Sequence, residues 1–287
     1  MGVKLVTDST SYISEEMRKE YDISVVSLNV ILNGKSYREV DLDNEEFYKA
    51  MDESGEIPTS SQPSIEELSN VFKRIVQAGD DVVGVFLSSE MSGTYSSAHL
   101  VKSMILEEYK DAKIEIIDSR TNCMQMGLQV LYGAKLAKEG KSIEEVSEGV
   151  KKVRGSSRFL FVPDTLKYLK KGGRIGGAAA LFGTILQIKP ILTVKDGMTS
   201  VFDKVRTRKK AVNVILDKVF DDIEKNGLGD VVVHHINCEE EGKELAARLE
   251  EKLNIKVKVK SIGPIIGLHV GPGSIGVAYY TDKELVD

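Results

Sequence analysis

Hydroxyl side chains crowd one short stretch of this sequence. Residues 88–98, SSEMSGTYSSA, place seven hydroxyls in eleven positions and include no Cys, His, Lys or Arg. A predicted strand precedes the stretch and a helix is predicted to begin at its turn glycine, Gly93. Backbone N–H groups of the first helical turn then lie beside Ser92 and Thr94, and aligned donors at the positive end of a helix suit an anion. The pattern favours an anion-binding loop.

The alternative for this loop is a nucleophilic serine. Such a serine needs an adjacent base and a sharply turned backbone. The GxSxG turn of α/β-hydrolases is absent around Ser92, because Glu90 and Thr94 occupy the glycine positions. His99 follows two turns along the same predicted helix and is expected to point elsewhere. The spacing gives the nucleophile hypothesis little support.

A second hydroxyl cluster, PTSSQPS at 58–64, lies between two prolines. Either Ser64 simply caps the next helix, or the prolines hold Ser60 and Ser61 towards a ligand. His269 stands in an apolar segment that we interpret as a strand, where a lone histidine is usually a core residue. A ligand role for His269 requires that the hydroxyl loops face it.

Patterns for nucleotides and metals are weak. GPGSIG at 271–276 matches GxGxxG, but the strand-like VAYYT follows it where a dinucleotide site needs a helix. His234 and His235 are adjacent on a predicted strand and point to opposite faces, so they do not form a metal pair. Cys123 and Cys238 belong to no CxxC pattern and are interpreted as buried hydrophobes. We expect no metal and no cofactor.

One basic segment interrupts an otherwise acidic chain. LKYLKKGGRIGG at 166–177 contains Lys170, Lys171 and Arg174 beside paired glycines, which suits either a solvated face or an exposed docking patch. An unusually apolar run follows it and fits either a core helix or the wall of a tunnel. The candidate tunnel residues of this run are Phe182, Ile185, Leu186 and Ile188, to which Ile266 is added from the C-terminal segment.

The composition limits the classes of function. The chain has 287 residues, 29% charged residues and a formal net charge of −5. An acidic chain without a long basic run is a poor ligand for phosphate backbones, so we expect no nucleic-acid partner. The N-terminus lacks signal-peptide features, and no apolar run approaches the length of a membrane span. We expect a cytoplasmic protein.

Strands and helices alternate through the first half, which predicts a mainly parallel sheet flanked by helices. Asn33 and Gly34 between apolar runs predict a hairpin with a type I′ turn. The pattern changes near residue 155, and we predict a second α/β domain with a mixed sheet. The expected domains are 1–153 and 154–287, and the segment 257–282 is interpreted as strands broken by glycines.

Six motifs occur in an order that resembles one known family. They are VTDST, TSSQPS, SSEMSGTYSSA, IDSRT, LKYLKKGGRIGG and GPIIGLHVGPGSIGVAYY. Together they resemble, over the whole chain, the DegV family of bacterial fatty-acid-binding proteins, which have the two-domain DegV-like (EDD) fold. One departure is visible, because position 60 is Ser where the family commonly has Thr. The hydroxyl remains, and the division of a ligand contact between Ser60 and Ser61 stays open.

The resemblance implies a function. Family members bind one long-chain fatty acid in a buried tunnel between domains and act as the acyl-carrying subunit of fatty acid kinase. A separate ATP-binding subunit phosphorylates the bound acid, which feeds phospholipid synthesis, and lipid exchange would bring the carrier into transient contact with a membrane surface. The implied carboxylate ligands are Ser60, Ser61, Ser92, Gly93, Thr94 and His269. The implied docking residues for the kinase are Arg174, Lys170 and Lys171.

A carrier of this kind has no catalytic residues of its own, and we expect this chain not to be an enzyme. The competing hypothesis is a serine hydrolase or acyltransferase that uses Ser92 with His269. It requires an orienting carboxylate, for which the sequence offers Asp8 or Asp118.

Overall fold

Two main sheets organise the chain in the computed structural model, which describes residues 2–183 and 188–285. The elements up to residue 155 are β1 (Val3–Asp8), α1 (Glu15–Tyr21), β2 (Ser24–Val26), β3 (Asn29–Leu32), β4 (Lys35–Arg38), α2 (Asn44–Ser54), β5 (Thr59–Ser61), α3 (Ile65–Gln77), β6 (Asp81–Phe86), α4 (Thr94–Glu108), β7 (Ile114–Asp118), α5 (Cys123–Lys138) and α6 (Ile143–Gly155). The later elements are β8 (Ser157–Val162), α7 (Lys167–Lys171), β9 (Lys189–Lys195), β10 (Met198–Val205), α8 (Arg208–Asn226), β11 (Asp230–His235), α9 (Glu239–Leu253), β12 (Lys258–Ser261), α10 (Pro264–Val270) and β13 (Ile275–Tyr280).

The first main sheet is parallel and has the strand order β2-β1-β6-β7. Its strands are short and β-branched, and helices cover both faces, as parallel sheets require. The carboxyl ends of β1, β6 and β7 therefore share one edge. Asp8, at the end of β1, accepts the N–H of Leu87 at 2.8 Å, which joins two of these ends. The hydroxyl-bearing loop 88–93 follows β6 and lies at this edge of the sheet.

A small antiparallel sheet, β4-β3-β5, lies apart from the parallel one. Asn33 and Gly34 join β3 to β4 with φ values of 52° and 72°, and the predicted hairpin is confirmed. Both φ values lie in the left-handed region, which a type I′ turn needs and which Asn and Gly tolerate. The third strand, β5, carries Ser60 and Ser61.

The second main sheet is mixed, with the order β10-β9-β8-β13-β11-β12. Only β11 and β12 pair in parallel, and the other neighbours are antiparallel. Asp196 and Gly197 form the turn between β9 and β10, and both have positive φ. The predicted α/β fold, with a mainly parallel sheet followed by a mixed one, is confirmed.

Helix α5 packs between the two main sheets and contacts β1 on one side and β13 on the other. Most of its side chains are buried, as expected of a helix that is apolar on nearly all sides. One group of buried apolar residues runs through both halves, from Val3 to Ala278. The domain boundary between residues 153 and 154 stays a prediction.

The interpretation of the segment around His269 as a strand is wrong. Pro264–Val270 forms the helix α10, with Pro264 in its first turn and Gly271 just beyond its end. Proline at the start and glycine after the end are the usual punctuation of a helix. The segment is too short and too apolar for a clear helical period, which explains the error. None of the helices within 2–183 and 188–285 is both long and apolar enough to cross a bilayer.

Candidate functional site

A cavity lies between the edge of the parallel sheet and the second main sheet, and its empty space is about 970 Å³ when the open solvent at its mouth is included. Most of its surface is apolar, with contributions from both halves of the chain. The principal apolar side chains are Leu28, Leu87, Phe159, Phe161, Ile262 and Ile266. An apolar cavity with a few polar groups near its opening has the general form of a site for an amphipathic ligand.

The polar end of the cavity is built around the loop that precedes α4. Ser92 and Gly93 line the cavity, and Gly93 caps the helix. The Oγ of Ser92 lies 2.9 Å from the Oγ1 of Thr94 and accepts the N–H of Thr94 at 3.3 Å. The loop is held from the second half, because Ser88 Oγ donates to the carbonyl of Gly197 at 2.7 Å. The structure thus brings Ser92 to the cavity opening, while Ser88 and Thr94 are buried and are not part of the lining.

Ser60 meets His269 across the opening. Ser60 Oγ lies 2.9 Å from His269 Nε2, and both residues line the cavity together with Ser61. Ser60 comes from β5 and His269 from α10, so two distant parts of the chain meet here. The condition for a ligand role, that the hydroxyl loops face His269, is met by this geometry.

The imidazole of His269 is neutral at neutral pH. Burial, with a smaller effect of the positive charge on Arg174, lowers the pKa of His269 to about 4. Its Nδ1 is buried and has no hydrogen-bond partner among the described residues. Gly172 packs directly against that atom and leaves no room for a side chain there. His269 can therefore offer a neutral N–H to a ligand rather than a charge.

Arg174 lies at the opening of the cavity, where it makes backbone hydrogen bonds that the sequence did not predict. Its Nε and Nη2 donate to the carbonyl of Met91 at 3.2 and 3.1 Å, and its Nη1 donates to the carbonyl of Gly172 at 2.6 Å. Arg174 is exposed and lines the cavity mouth. It ties the basic segment to the residue before Ser92. Its docking role stays a prediction.

Apart from Arg174, the basic residues of this segment lie outside the cavity, although Leu169 of the same segment lines it. Lys170 and Lys171 are exposed, and the Nζ of Lys170 lies 3.8 Å from the centre of the Phe182 ring. Phe182 and Ile188 are 41% and 36% exposed and do not line the cavity, contrary to the tunnel prediction. These two side chains lie at the surface, whereas Ala178 at the start of the run is buried in the core.

Of the remaining tunnel residues, Ile266 lines the cavity. Ile185 and Leu186 lie outside the described residues. Sequence reasoning missed Phe159 and Phe161, whose rings stack at 5.0 Å between centroids. They occupy alternate positions of the strand SRFLFV, so the period of two could have placed them on one face. Nothing local showed that this face borders a cavity.

The geometry does not assemble the serine hydrolase constellation. Ser92 and His269 share no hydrogen bond among the described residues, since Ser92 pairs with Thr94 and His269 with Ser60. Asp8 accepts hydrogen bonds from Thr10 and Leu87, and burial raises its pKa to about 6. Neither Asp8 nor the other candidate carboxylate reaches His269.

Asp118, that other candidate, accepts from the hydroxyl of Ser89 at 2.6 Å and the N–H of Arg120 at 2.8 Å. The Ser60–His269 pair lacks an orienting group on Nδ1, and a base with a pKa of about 4 is weak at neutral pH. Within 2–183 and 188–285 there is no cluster of three His, Cys, Asp or Glu that could hold a metal ion.

Together the fold and the site define an α/β protein whose two main sheets enclose an apolar cavity with a hydroxyl-rich mouth. The family follows from comparison with known sequences. The chain belongs to the DegV family, whose model, described as "Uncharacterised protein, DegV family", matches residues 2–282. The resemblance seen in the six motifs is thereby confirmed.

Relatives cover the whole chain. A DegV domain-containing protein of Clostridium acetobutylicum is 52% identical over 285 residues, which is 99% of this chain and 100% of that protein. The crystal structure of DegV from Bacillus subtilis, described as a fatty acid binding protein, superposes with a TM-score of 0.90 at 34% identity and covers 98% of this chain and 99% of that one. A stearic acid-binding protein from Eubacterium ventriosum gives 0.89 at 32% identity, with 98% of each chain covered.

Proposed function

We propose that this protein binds one long-chain fatty acid in the cavity and presents its carboxylate to a separate ATP-dependent kinase. The observation that carries the proposal is the joining of an apolar cavity to an opening lined by Ser60, Ser92 and His269. Its support from outside the chain is that structural neighbours are fatty acid binding proteins. In this proposal the protein is a non-catalytic carrier in a bacterial cytoplasm.

Burial of the hydrocarbon tail supplies the affinity. A chain of about sixteen carbons gains on the order of 12 kcal/mol at about 0.8 kcal/mol per CH₂, before the cost of association. The apolar walls from both halves provide that burial. The carboxylate then needs only orientation, and neutral donors suffice for it.

The neutral mouth also favours chemistry on the carboxylate. Ser60, Ser92 and a neutral His269 offer hydrogen bonds without a direct ion pair, and the guanidinium of Arg174 is occupied by backbone carbonyls. A carboxylate that is not over-stabilised stays a competent nucleophile towards ATP. We assign Arg174, with Lys170 and Lys171, to the surface that meets the kinase. The acyl phosphate would feed phospholipid synthesis, and the carrier would exchange lipid at a membrane surface.

Organic extraction of the purified protein should release about one free long-chain fatty acid per chain. The apolar cavity retains the tail through purification, because its removal would expose the tail to water. Lipid analysis by mass spectrometry measures both the amount and the chain length. Absence of fatty acid from a protein that also fails to bind added fatty acid would contradict the proposal, as would an acyl group covalently bound to Ser92.

Substitution of Ser92 with alanine should separate binding from presentation. We expect Ser92→Ala to keep most of its fatty acid, because the tail is untouched, and to lose at least about tenfold in the rate of acyl-phosphate formation with the partner kinase. One lost hydrogen bond to a charged group is worth about 1.5–3 kcal/mol. Ser96→Ala, at an exposed position in the first turn of α4, the helix that follows this loop, is the matched control. Equal losses of lipid and of rate in Ser92→Ala would refute this division of roles.

A further inference from the structure

Glu39 is a buried carboxyl group that the proposed function leaves without a role. Only 5% of the residue is exposed, in a short turn between β4 and α2. Its Oε2 accepts the hydroxyl of Ser9 at 2.5 Å. Its Oε1 accepts the hydroxyl of Tyr12 at 3.1 Å and the backbone N–H of Ile265 at 2.8 Å. A carboxyl from the first half thus holds the start of helix α10 in the second half.

Other groups reinforce this hold on α10. Tyr12 OH accepts the N–H of Ile266 at 3.3 Å, and Tyr48 OH donates to the carbonyl of Ile262 at 2.8 Å. The N–H groups of a first helical turn have no partners within their own helix, and here the first half supplies them. The glycines of the segment allow the close contact, since a side chain at Gly263 would meet Glu39 and Tyr12.

Helix α10 is also a wall of the ligand cavity. Ile265, Ile266 and Val270 line the cavity, and His269 reaches Ser60 from the same helix. The bond from Glu39 to Ile265 therefore fixes the element that positions His269 at the mouth. A shift of α10 would move both the wall and the polar contact.

A second cleft, of about 630 Å³, opens on the other side of Glu39. It is separate from the lipid cavity and polar, and it gives Glu39 a route to protons from outside. Ser9, Ser11, Arg18 and Asn44 line it together with Glu39. The titratable groups that interact with Glu39 from the surrounding elements are Asp8, Tyr12, Tyr48 and Cys123, and the charged Arg18 lines the same cleft.

We propose that Glu39 is the positioning residue that holds α10, and with it His269, against the bound fatty acid, and that loss of its proton favours a movement of α10 that exposes the carboxylate to water. This inference rests on the proposed function for its ligand. The sign of this pH dependence follows from burial. Burial raises the pKa of Glu39 to about 7 in this structure, although the hydrogen bonds from Ser9, Ile265 and Tyr12 act in the opposite direction. A Glu exposed to water by movement of α10 would titrate near its ordinary value of about 4.3. The arrangement with Glu39 buried thus binds the proton more tightly than one with Glu39 in water, and low pH favours the buried arrangement.

The test is the rate at which a fluorescent fatty acid leaves the loaded protein for an excess of phosphatidylcholine vesicles. Between pH 6 and pH 8 we expect release from the unaltered protein to become up to about tenfold faster, which is the change in opening that a pKa near 7 produces. Glu39→Gln keeps an acceptor for Ile265 without the charge and should flatten this pH profile. Glu45→Gln, an exposed neighbour, should keep it. The same profile in Glu39→Gln as in the unaltered protein would overturn the role of ionisation.

A second measurement does not depend on the fatty acid. The imidazole titration of His269, followed by NMR, should move from about 4 towards its ordinary value in Glu39→Ala, because a loosened α10 admits water. An unchanged pKa of His269 in a folded Glu39→Ala variant would overturn the positioning role. If Glu39→Ala does not fold, Glu39→Gln decides through its pH profile. Absence of lipid binding in the unaltered protein would refute the proposed function, while the His269 titration would still decide the positioning.

Discussion

Replacement of Ile266 with tryptophan is expected to empty the protein of fatty acid. Ile266 is 7% exposed and lines the cavity from α10, so an indole at this position projects into the volume proposed for the tail. In the proposed function, tail burial is the source of the affinity, so we expect the co-purifying lipid to fall below about a tenth of that in the unaltered protein. Overpacking costs about 1–3 kcal/mol of folding stability, which a chain of this size should tolerate. Extraction and lipid quantification measure the result.

The control for this variant is Leu100→Trp. Leu100 is 54% exposed on helix α4, the helix that begins at the hydroxyl loop. A tryptophan there adds the same side chain without entering the cavity, and it should leave the lipid content unchanged. A folded Ile266→Trp protein with a full complement of fatty acid would show that the tail lies elsewhere.

Substitution of Asp222 with alanine should produce a large loss in the free energy of unfolding. The Asp222 carboxylate, on α8, accepts the hydroxyl of Tyr279 at 2.5 Å and lies 2.8 Å from Lys218 and 3.3 Å from Arg158. This proximity contributes to the raised pKa of Tyr279, whose main cause is burial. Removal of one partner from a buried ion pair costs about 3–5 kcal/mol, because the remaining groups stay buried without this carboxylate. Chemical denaturation measures the free energy of unfolding.

The adjacent Asp221 gives a matched control on the same helix. Its side chain is 46% exposed and pairs with Lys225 at 2.6 Å. Exposed ion pairs contribute little to stability, so Asp221→Ala should leave the free energy of unfolding almost unchanged. Similar losses in the two variants would mean that burial does not set the strength of the Asp222 network.

The predictable parts of this structure are those governed by local rules. Asn33-Gly34 specified its hairpin through the backbone conformations that these two residues tolerate. The α10 segment was misassigned because seven mostly apolar residues carry too few positions to distinguish a period of 3.6 from one of 2.

The candidate site was predictable only in part, for a different reason. The hydroxyl loop could be found because its density of Ser and Thr exceeds what helix capping needs. The bond between Ser60 and His269, 209 positions apart, depends on how the sheets pack and has no local signal. Phe182 and Ile188 were misplaced because an apolar side chain on a surface crossing looks, in sequence, like one in a core. The roles of the ligand residues themselves stay predictions.

The polar mouth draws its members from four separated places along the chain, at positions 60, 92, 174 and 269. During translation the ribosome makes the hydroxyl-bearing members well before Arg174 and His269. A nascent polypeptide therefore lacks a complete receptor for an acid group until residues as far as His269 have emerged and folded. In the proposed function, lipid would then be loaded only after translation, and occupancy of the cavity would report that folding has been completed.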